Sequence, residues 1–414
     1  MSSPLNIIII GGGAAGFFAG IICAENNPHT RVIILEGSAK VLEKVRISGG
    51  GRCNVTHHCF DPAELVTYYP RGSRELRGAF ARFQPQDIIN WFEKKGVSLK
   101  TESDGRVFPV SNDSKTIVDC LIKAAKTSLV DVRVKSQVVS LQLQNDRFKV
   151  KLKNGESLTG DRILLATGSS AIGYQLANSL GHKIVMPLPS LFTFKIKDSR
   201  FQGLEGVSVN SVGLKLSEKG KKPIAQQSGS LLITHWGISG FGVLKLSAFG
   251  AKVLAKNNYR MMLSINWLFP DNPKQVQEKL LEIKNQSTHS RQQISSFCPL
   301  PLPKRLWQRL LDHAAISSQK KWAEVSKNEL IKLAQELAQG EYQILGKGVF
   351  KDEFVTCGGV QLKEVNFSTM ESKICPNLCL AGEVLDIDGV TGGFNFQSAW
   401  TTGWLAGLTL SKSH

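Results

Sequence analysis

Four consecutive isoleucines at positions 7–10 run straight into Gly11-Gly12-Gly13-Ala14-Ala15-Gly16. An unbroken apolar run of this kind reads as a strand buried on both faces of a parallel sheet. The glycines after it contain the G-x-G-x-x-G pattern. Gly11 permits a tight turn, Gly13 lets backbone approach a pyrophosphate, and Gly16, next to Ala15, lets a following helix pack closely on the strand. Residues 14–24 read as that helix and residues 31–35 as a second strand, closed by Glu36. Glu36 falls 20 residues after Gly16, where a carboxylate accepts both hydroxyls of a ribose. The helix N-terminus offers N–H groups and partial positive charge to phosphates. Strand, turn, helix, strand and acid in this order point to a dinucleotide-binding βαβ unit rather than a glycine turn without a ligand. Residues 7–24 carry no charge, but five of the eighteen are Gly and no basic segment precedes them. A buried βα unit therefore explains the stretch better than a membrane span or signal peptide, and no transmembrane segment is expected.

The chain has 414 residues, enough for two or three domains, and its 42% hydrophobic content excludes whole-chain disorder. Its formal charge is +17, unevenly placed: residues 185–340 hold +12 and the remainder +5. Such a surplus suits a solvated surface, an anionic small molecule, nucleic acid or an anionic membrane surface. The eight cysteines include no CxxC pair. The pattern signals neither a zinc ribbon nor a dithiol redox motif, and it suits a reducing cytoplasm. No acid or thiol stands at ligand spacing from the histidines, so no metal site is expected.

Helices are expected at residues 86–95 and 114–128, with short strands at 132–134, 138–143, 148–152, 157–158 and 162–166. Asn154-Gly155 suits a type I′ hairpin turn. This stretch reads as a small antiparallel meander returning to the parallel sheet. Pro187 and Pro189 then mark a change of character. Strands are expected at 191–196, 207–216, 230–234 and 262–269, and helices at 304–311 and 330–337, the latter behind a Ser326/Glu329 capping box. The domains expected are 1–185 and 346–414, two segments of one cofactor domain, around an insert at 186–345 with a β part and then a helical part.

Three features favour FAD over NAD. Ala166-Thr167-Gly168 closes the meander, as in flavoproteins with two dinucleotide-binding domains. Residues 378–383 read as a strand ending in Gly382-Glu383, where that architecture meets the flavin's ribityl chain. Gly392-Gly393-Phe394-Asn395 precedes a helix expected at 398–408, whose N-terminus suits the negative charge of reduced flavin. No second G-x-G-x-x-G marks a separate NAD(P)H domain; NAD(P)H stays a candidate transient donor to the flavin.

The chain resembles the BaiN-like family of NAD(P)/FAD-dependent flavoprotein oxidoreductases. The matching stretches are GGGAAG (11–16), SGGGRCNVT (48–56), DGRVFPVS (104–111), THWGISG (234–240), VTCGGV (355–360), TMESK (369–373) and AGEVLDIDGVTGGFNFQ (381–397). The resemblance implies an α/β fold: a Rossmann-like FAD-binding fold of the two-dinucleotide-binding-domain type, interrupted by an inserted β-barrel-like plus helical domain. It also implies non-covalent FAD and reduction of activated C=C bonds. The chain departs from the family at His57-His58, where Asn is usual, at Ser169-Ser170, where Gly is common, and at Phe241, where Pro is usual. Substrate identity therefore does not carry over.

Gly11, Gly13, Ala15, Gly16, Glu36, Gly51, Arg52, Asn54, Val138, Thr167, Gly168, Gly382, Glu383, Gly393, Phe394 and Asn395 are the expected cofactor-binding residues. Arg52 suits a phosphate, an anionic substrate or a structural ion pair. Cys53 and Cys357 read as packed residues or reactive thiols. His235 suits donation of a proton to a substrate while flavin N5 delivers hydride, or a structural bond to its glycine-rich loop. The expected activity is FAD-dependent hydride transfer to an electron-poor, enone-like small molecule. Two alternatives are an amine or aminoketone oxidase forming peroxide, and an RNA-associated flavoprotein using the basic insert, with Trp267 and Trp307 stacking on bases.

Overall fold

The computed structural model describes residues 4–348 and 355–412. The chain forms two compact units: Met1–Pro187 with Val355–His414, and Leu188–Phe354 between them. The boundary expected at 345/346 falls inside a strand, Gly340–Lys347.

The first unit is built on a seven-stranded sheet. Its central strand, Arg162–Leu165, is flanked in parallel by β1 (Asn6–Ile10) and by Leu378–Leu380, and β1 pairs in parallel with β2 (Arg31–Leu35) on its other side. Ile7, Ile8 and Ile9 are completely buried, as the isoleucine run requires. The register sets Ile10 beside Leu165 and Leu165 beside Leu380. Three chain segments therefore leave the sheet together, at Gly11, Ala166 and Ala381. Ligands of open α/β sheets bind at such carboxyl ends.

Helix α1 (Ala14–Asn26) is buried at every residue from Ala15 to Ala24. A helix apolar all round belongs in an interior, and this explains the charge-free stretch at 7–24. No helix among the described residues is long and apolar enough to cross a membrane. The C-terminal helix, Phe394–Leu410, lies against α1 with the two backbones nearly touching. A Cβ added to Gly403 would stand 2.7 Å from the Ala15 carbonyl oxygen, and one added to Gly407 would stand 2.7 Å from that of Ala19. This helix begins four residues earlier than expected, so Phe394 and Asn395 open its first turn.

The meander forms from Val138–Gln144, Arg147–Leu152 and Ser157–Gly160. Its type I′-like turn is Asn145-Asp146, where both residues have positive φ (48° and 59°). Asn154-Gly155 is the looser link, with a left-handed φ only at Gly155. Both turns contain Asn, but only the first is a two-residue link, with Gln144 paired to Arg147. That link forces both residues into the left-handed region.

The second unit is a closed six-stranded barrel with helices packed on it. Helix Phe241–Lys256 lies between barrel strands in sequence, and the closing strand Gly340–Lys347 follows helices Pro273–Asn285, Lys304–His313 and Lys327–Gln339. The order is therefore not a β part followed by a helical part. Ser326 and Glu329 form the expected capping box. Arg200, 6% exposed, is central to the core. It bonds Asp198 at 2.7 Å and Glu336 at 2.7 Å, and lies 3.6 Å above the Tyr342 ring.

Candidate functional site: a glycine-lined groove at three strand ends

The turn after β1 is shaped by contacts that exclude side chains. Gly11 has φ +118°, and a Cβ there would lie 2.2 Å from the Ala166 carbonyl oxygen. A Cβ on Gly16 would lie 2.0 Å from the Gly11 carbonyl oxygen. Gly13 is different. It precedes α1 without a side-chain cap, and a Cβ there would meet no atom within 4 Å. Gly11 and Gly16 thus serve the packing of β1 and α1. Gly13 leaves the helix N-terminus open on the side where a phosphate would be held.

Glu36 ends β2 with both carboxylate oxygens oriented. One accepts the Gly12 N–H at 2.8 Å, and the other accepts the Ser38 N–H at 2.8 Å. Each oxygen keeps a lone pair for a ribose hydroxyl. The Glu36 backbone is bonded to Arg133 and Ser136, which brings the start of the meander alongside. Val138 there is buried and paired with Leu152, so its side chain packs and only its backbone is left to face a ligand.

The opposite lip comes from the other two strand ends. Gly168 and Gly382 have φ +59° and +74°. A Cβ on Gly382 would stand 3.0 Å from the Ala15 Cβ, so this loop touches α1. The Gly382 N–H donates to Thr402 Oγ1 at 2.9 Å. Glu383 pairs with Lys44 at 2.6 Å and accepts the Thr356 N–H at 3.1 Å. Among the described residues, the buried Thr167 hydroxyl has no hydrogen-bond partner, and neither has that of Tyr174, which is 8% exposed. Burial first, then Glu383, Asp386 and Cys357, push the Tyr174 phenol up.

Helix α2 (Glu43–Gly51) is broken inside the GGGRCN stretch. Gly49, Gly50 and Gly51 have φ of +58°, +69° and +84°. Three successive left-handed residues are a conformation glycine alone adopts readily. Arg52 pairs with Glu102 at 2.6 Å and lies 3.9 Å over the Phe108 ring. The structure thus gives its guanidinium the structural ion pair. Cys53 is wholly buried, and burial pushes its thiol up to about 12, so it is no ready thiolate. Cys357 is buried as well.

The loop ahead of the C-terminal helix is anchored from several sides. A Cβ on Gly393 would lie 2.5 Å from Thr56 backbone atoms. Asn54 accepts the Gly393 N–H at 2.9 Å and donates to the Thr56 and Val107 carbonyls. Asn395 bonds both backbone groups of Gly389 at 2.8 Å. Tyr69 donates to the Phe394 carbonyl at 2.6 Å, and Arg71 pairs with the fully buried Asp388. The Phe394 ring packs against both Tyr68 (4.3 Å) and His57 (4.7 Å), whose own ring centroids are 5.8 Å apart. Tyr68, Tyr69 and Arg71 carry no motif, and sequence reasoning missed them.

The groove fits a flavin dinucleotide: an open helix N-terminus, an oriented acid at the β2 end, glycines where backbones converge, and two orphaned buried hydroxyls. A family model described as HI0933-like protein Rossmann domain matches residues 5–409. The chain belongs to that HI0933-like family. It is an FAD-dependent oxidoreductase. The 3-dehydro-bile acid delta(4,6)-reductase of Clostridium scindens is 29% identical over 412 residues, 98% of each chain. A ribosomal RNA dihydrouridine synthase of Escherichia coli is 29% identical over 413 residues, 96% of each chain. The fold is shared with a 3-ketosteroid-delta4-(5alpha)-dehydrogenase from Rhodococcus jostii RHA1 at 12% identity and TM-score 0.51, covering 100% of this chain and 98% of that one.

In the inserted unit, His235 and Trp236 are the exposed two-residue link between strands Ala225–Thr234 and Gly237–Ser239. Trp236 donates to Thr193 Oγ1 at 3.3 Å. Trp267 and Trp307, expected as base-stacking candidates, are buried in the core at 1% and 0% exposure. Neither is available to a nucleic acid.

Proposed function

We propose that this enzyme reduces a carbon–carbon double bond polarised by a neighbouring carbonyl. The observation that carries the reading is full-length similarity, at equal identity, to two proteins whose named reactions differ in substrate but agree in chemistry. A delta(4,6)-reductase of a 3-dehydro-bile acid and a synthase of dihydrouridine both saturate a double bond conjugated to C=O. FAD bound here and reduced by an external two-electron donor would supply the electron pair for such a step. The glycine turn and Glu36 hold the cofactor, and the anchored loop at 388–395 fixes the helix N-terminus that stabilises negative charge. His235, exposed on its hairpin, is our proposed donor of the proton to the carbon beside the carbonyl.

The test is anaerobic. Purified protein, yellow with a band near about 450 nm as bound oxidised flavin requires, is reduced with NADH or NADPH and then mixed with a 3-keto-4,6-diene. Return of the band with formation of the saturated ketone supports the reading. Bleaching by an aminoketone, with peroxide formed in air, and no response to the dienone overturns it in favour of an amine oxidase. His235→Asn is expected to slow reoxidation by substrate while leaving FAD content unchanged.

A second substrate reading, a uracil base within RNA, is favoured by the +12 carried by residues 185–340. Reoxidation by ribosomal RNA, with dihydrouridine found by mass spectrometry, would select it. Absence of any gel shift at low salt would dismiss it.

A further inference from the structure

Lys44 belongs to the first turns of α2, and the start of that helix is tied to the glycine turn, because the Leu42 N–H donates to the Gly12 carbonyl at 2.8 Å. From there its ammonium reaches the other lip of the groove. It meets Glu383 Oε2 at 2.6 Å and Ser169 Oγ at 3.3 Å. Glu383 follows Gly382, the residue that approaches Ala15 on α1, and Gly168 lies within 3.8 Å of the same carboxylate when given a Cβ. The lysine side chain therefore joins the α2 lip to the second and third strand ends, beside the open N-terminus of α1.

The charges around it are uneven. Arg52 is engaged by Glu102, and Arg71 by Asp388. Lys44 is 55% exposed on its side chain, and its acid partner has a second bond of its own to the Thr356 N–H. A partly exposed Lys–Glu pair is worth about 0–1 kcal/mol, so a diphosphate carrying two negative charges competes for the ammonium with ease. The buried, unpartnered hydroxyls of Thr167 and Tyr174 lie on the same lip.

We infer that Lys44 is the diphosphate ligand of the cofactor, held in place by Glu383 and handed over when FAD enters. Release leaves Glu383, fixed by the Thr356 N–H, to accept a hydroxyl of the cofactor. The inference rests on the FAD reading of the groove, and it concerns the diphosphate alone.

The test separates phosphate from flavin ring. Apo-protein is titrated with FAD and with riboflavin, following flavin fluorescence, for the wild type, Lys44→Met and Lys44→Arg. Lys44→Met is expected to weaken FAD binding at least tenfold without changing riboflavin binding, and Lys44→Arg to recover most of the loss. Equal weakening of both ligands, or no weakening of FAD, overturns the inference. A wild type that binds no FAD instead overturns the reading beneath it. Wild-type protein gives a check independent of folding: FAD and inorganic pyrophosphate should protect Lys44 from an amine-reactive label, and riboflavin should not. Label uptake that ignores pyrophosphate overturns the inference as well.

Discussion

The two units treat charge in opposite ways. Around the groove of the first unit, Arg52, Arg71 and Lys44 each face a carboxylate, and the ligand's negative charge is left to backbone N–H groups and one exchangeable lysine. In residues 185–340 there are 22 bases and 10 acids, so most bases have no acid within that stretch to neutralise them. Two of the acids, Asp198 and Glu336, do internal work around Arg200. Cofactor binding is thus specified by backbone shape, which tolerates little change. The inserted unit keeps a long-range positive field, which short contacts do not define and which steers anions at a distance.

The largest effect should come from the backbone-specified side. Gly16→Ala places a Cβ 2.0 Å from the Gly11 backbone oxygen, so the backbone itself must shift. It should cost about 3 kcal/mol or more and abolish bound flavin. Gly13→Ala meets no atom. It should leave the melting temperature nearly unchanged while weakening FAD binding. If the two variants behave alike, the division of labour within the motif is wrong. In the inserted unit, Arg200→Met strands two buried or half-buried acids. A loss of about 3 kcal/mol is expected, with flavin content per folded molecule unchanged. Loss of flavin alongside stability would mean that the two units do not stand independently.

The same contrast decides what the amino-acid order reveals. Gly11, Gly16 and Glu36 are legible because each answers a need of its immediate neighbours along the chain. Gly382 and Glu383 are legible for the same reason, as a strand end with its turn. Asn54, Tyr69 and Arg71 meet residues 393, 394 and 388 only after the chain has closed over more than three hundred positions. Only Asn54 sits in a motif. Gly403 and Gly407 are needed by the backbone of α1, yet nothing near them in sequence says so. Trp267 and Trp307 mislead for a related reason. An aromatic side chain in a basic stretch of chain reads as a base-stacking surface, and here it fills the core between barrel and helices. The barrel's last strand is hidden behind the helix expected at 330–337, because Gly340, which caps that helix, also begins the strand.

A smaller effect belongs to His182 in the first unit, wholly buried, with its Nδ1 3.1 Å from Glu364 and its Nε2 2.8 Å from the Ser372 hydroxyl. Burial, opposed by Glu364, holds its pKa below the ordinary value near 6.5. A base depressed on folding gives stability that is complete above the unfolded pKa and declines as pH falls through the folded one. The melting temperature should therefore drop from pH 7 towards pH 5, and His182→Gln should flatten that drop. An unchanged slope would place the acid sensitivity elsewhere.

The smallest effect on the fold, and the sharpest on the comparison, comes from reversing exposed lysines of the insert. Lys219, Lys222 and Lys332 are exposed, and changing each to Glu should alter stability by no more than about 0.5 kcal/mol per site. FAD content should stay the same, since none of them belongs to the unit that carries the groove. If the positive field gathers an anionic substrate, the triple variant loses association rate, and the loss shrinks as salt rises and screening shortens the field's reach to about 10 Å at 0.1 M. Stopped-flow reoxidation of reduced enzyme at two salt concentrations reads both quantities. A neutral dienone should then react equally with wild type and variant, whereas RNA should distinguish them strongly at low salt. Equal behaviour towards both would reduce the charge of the inserted unit to a solvated surface, and the contrast between the units to one of shape alone.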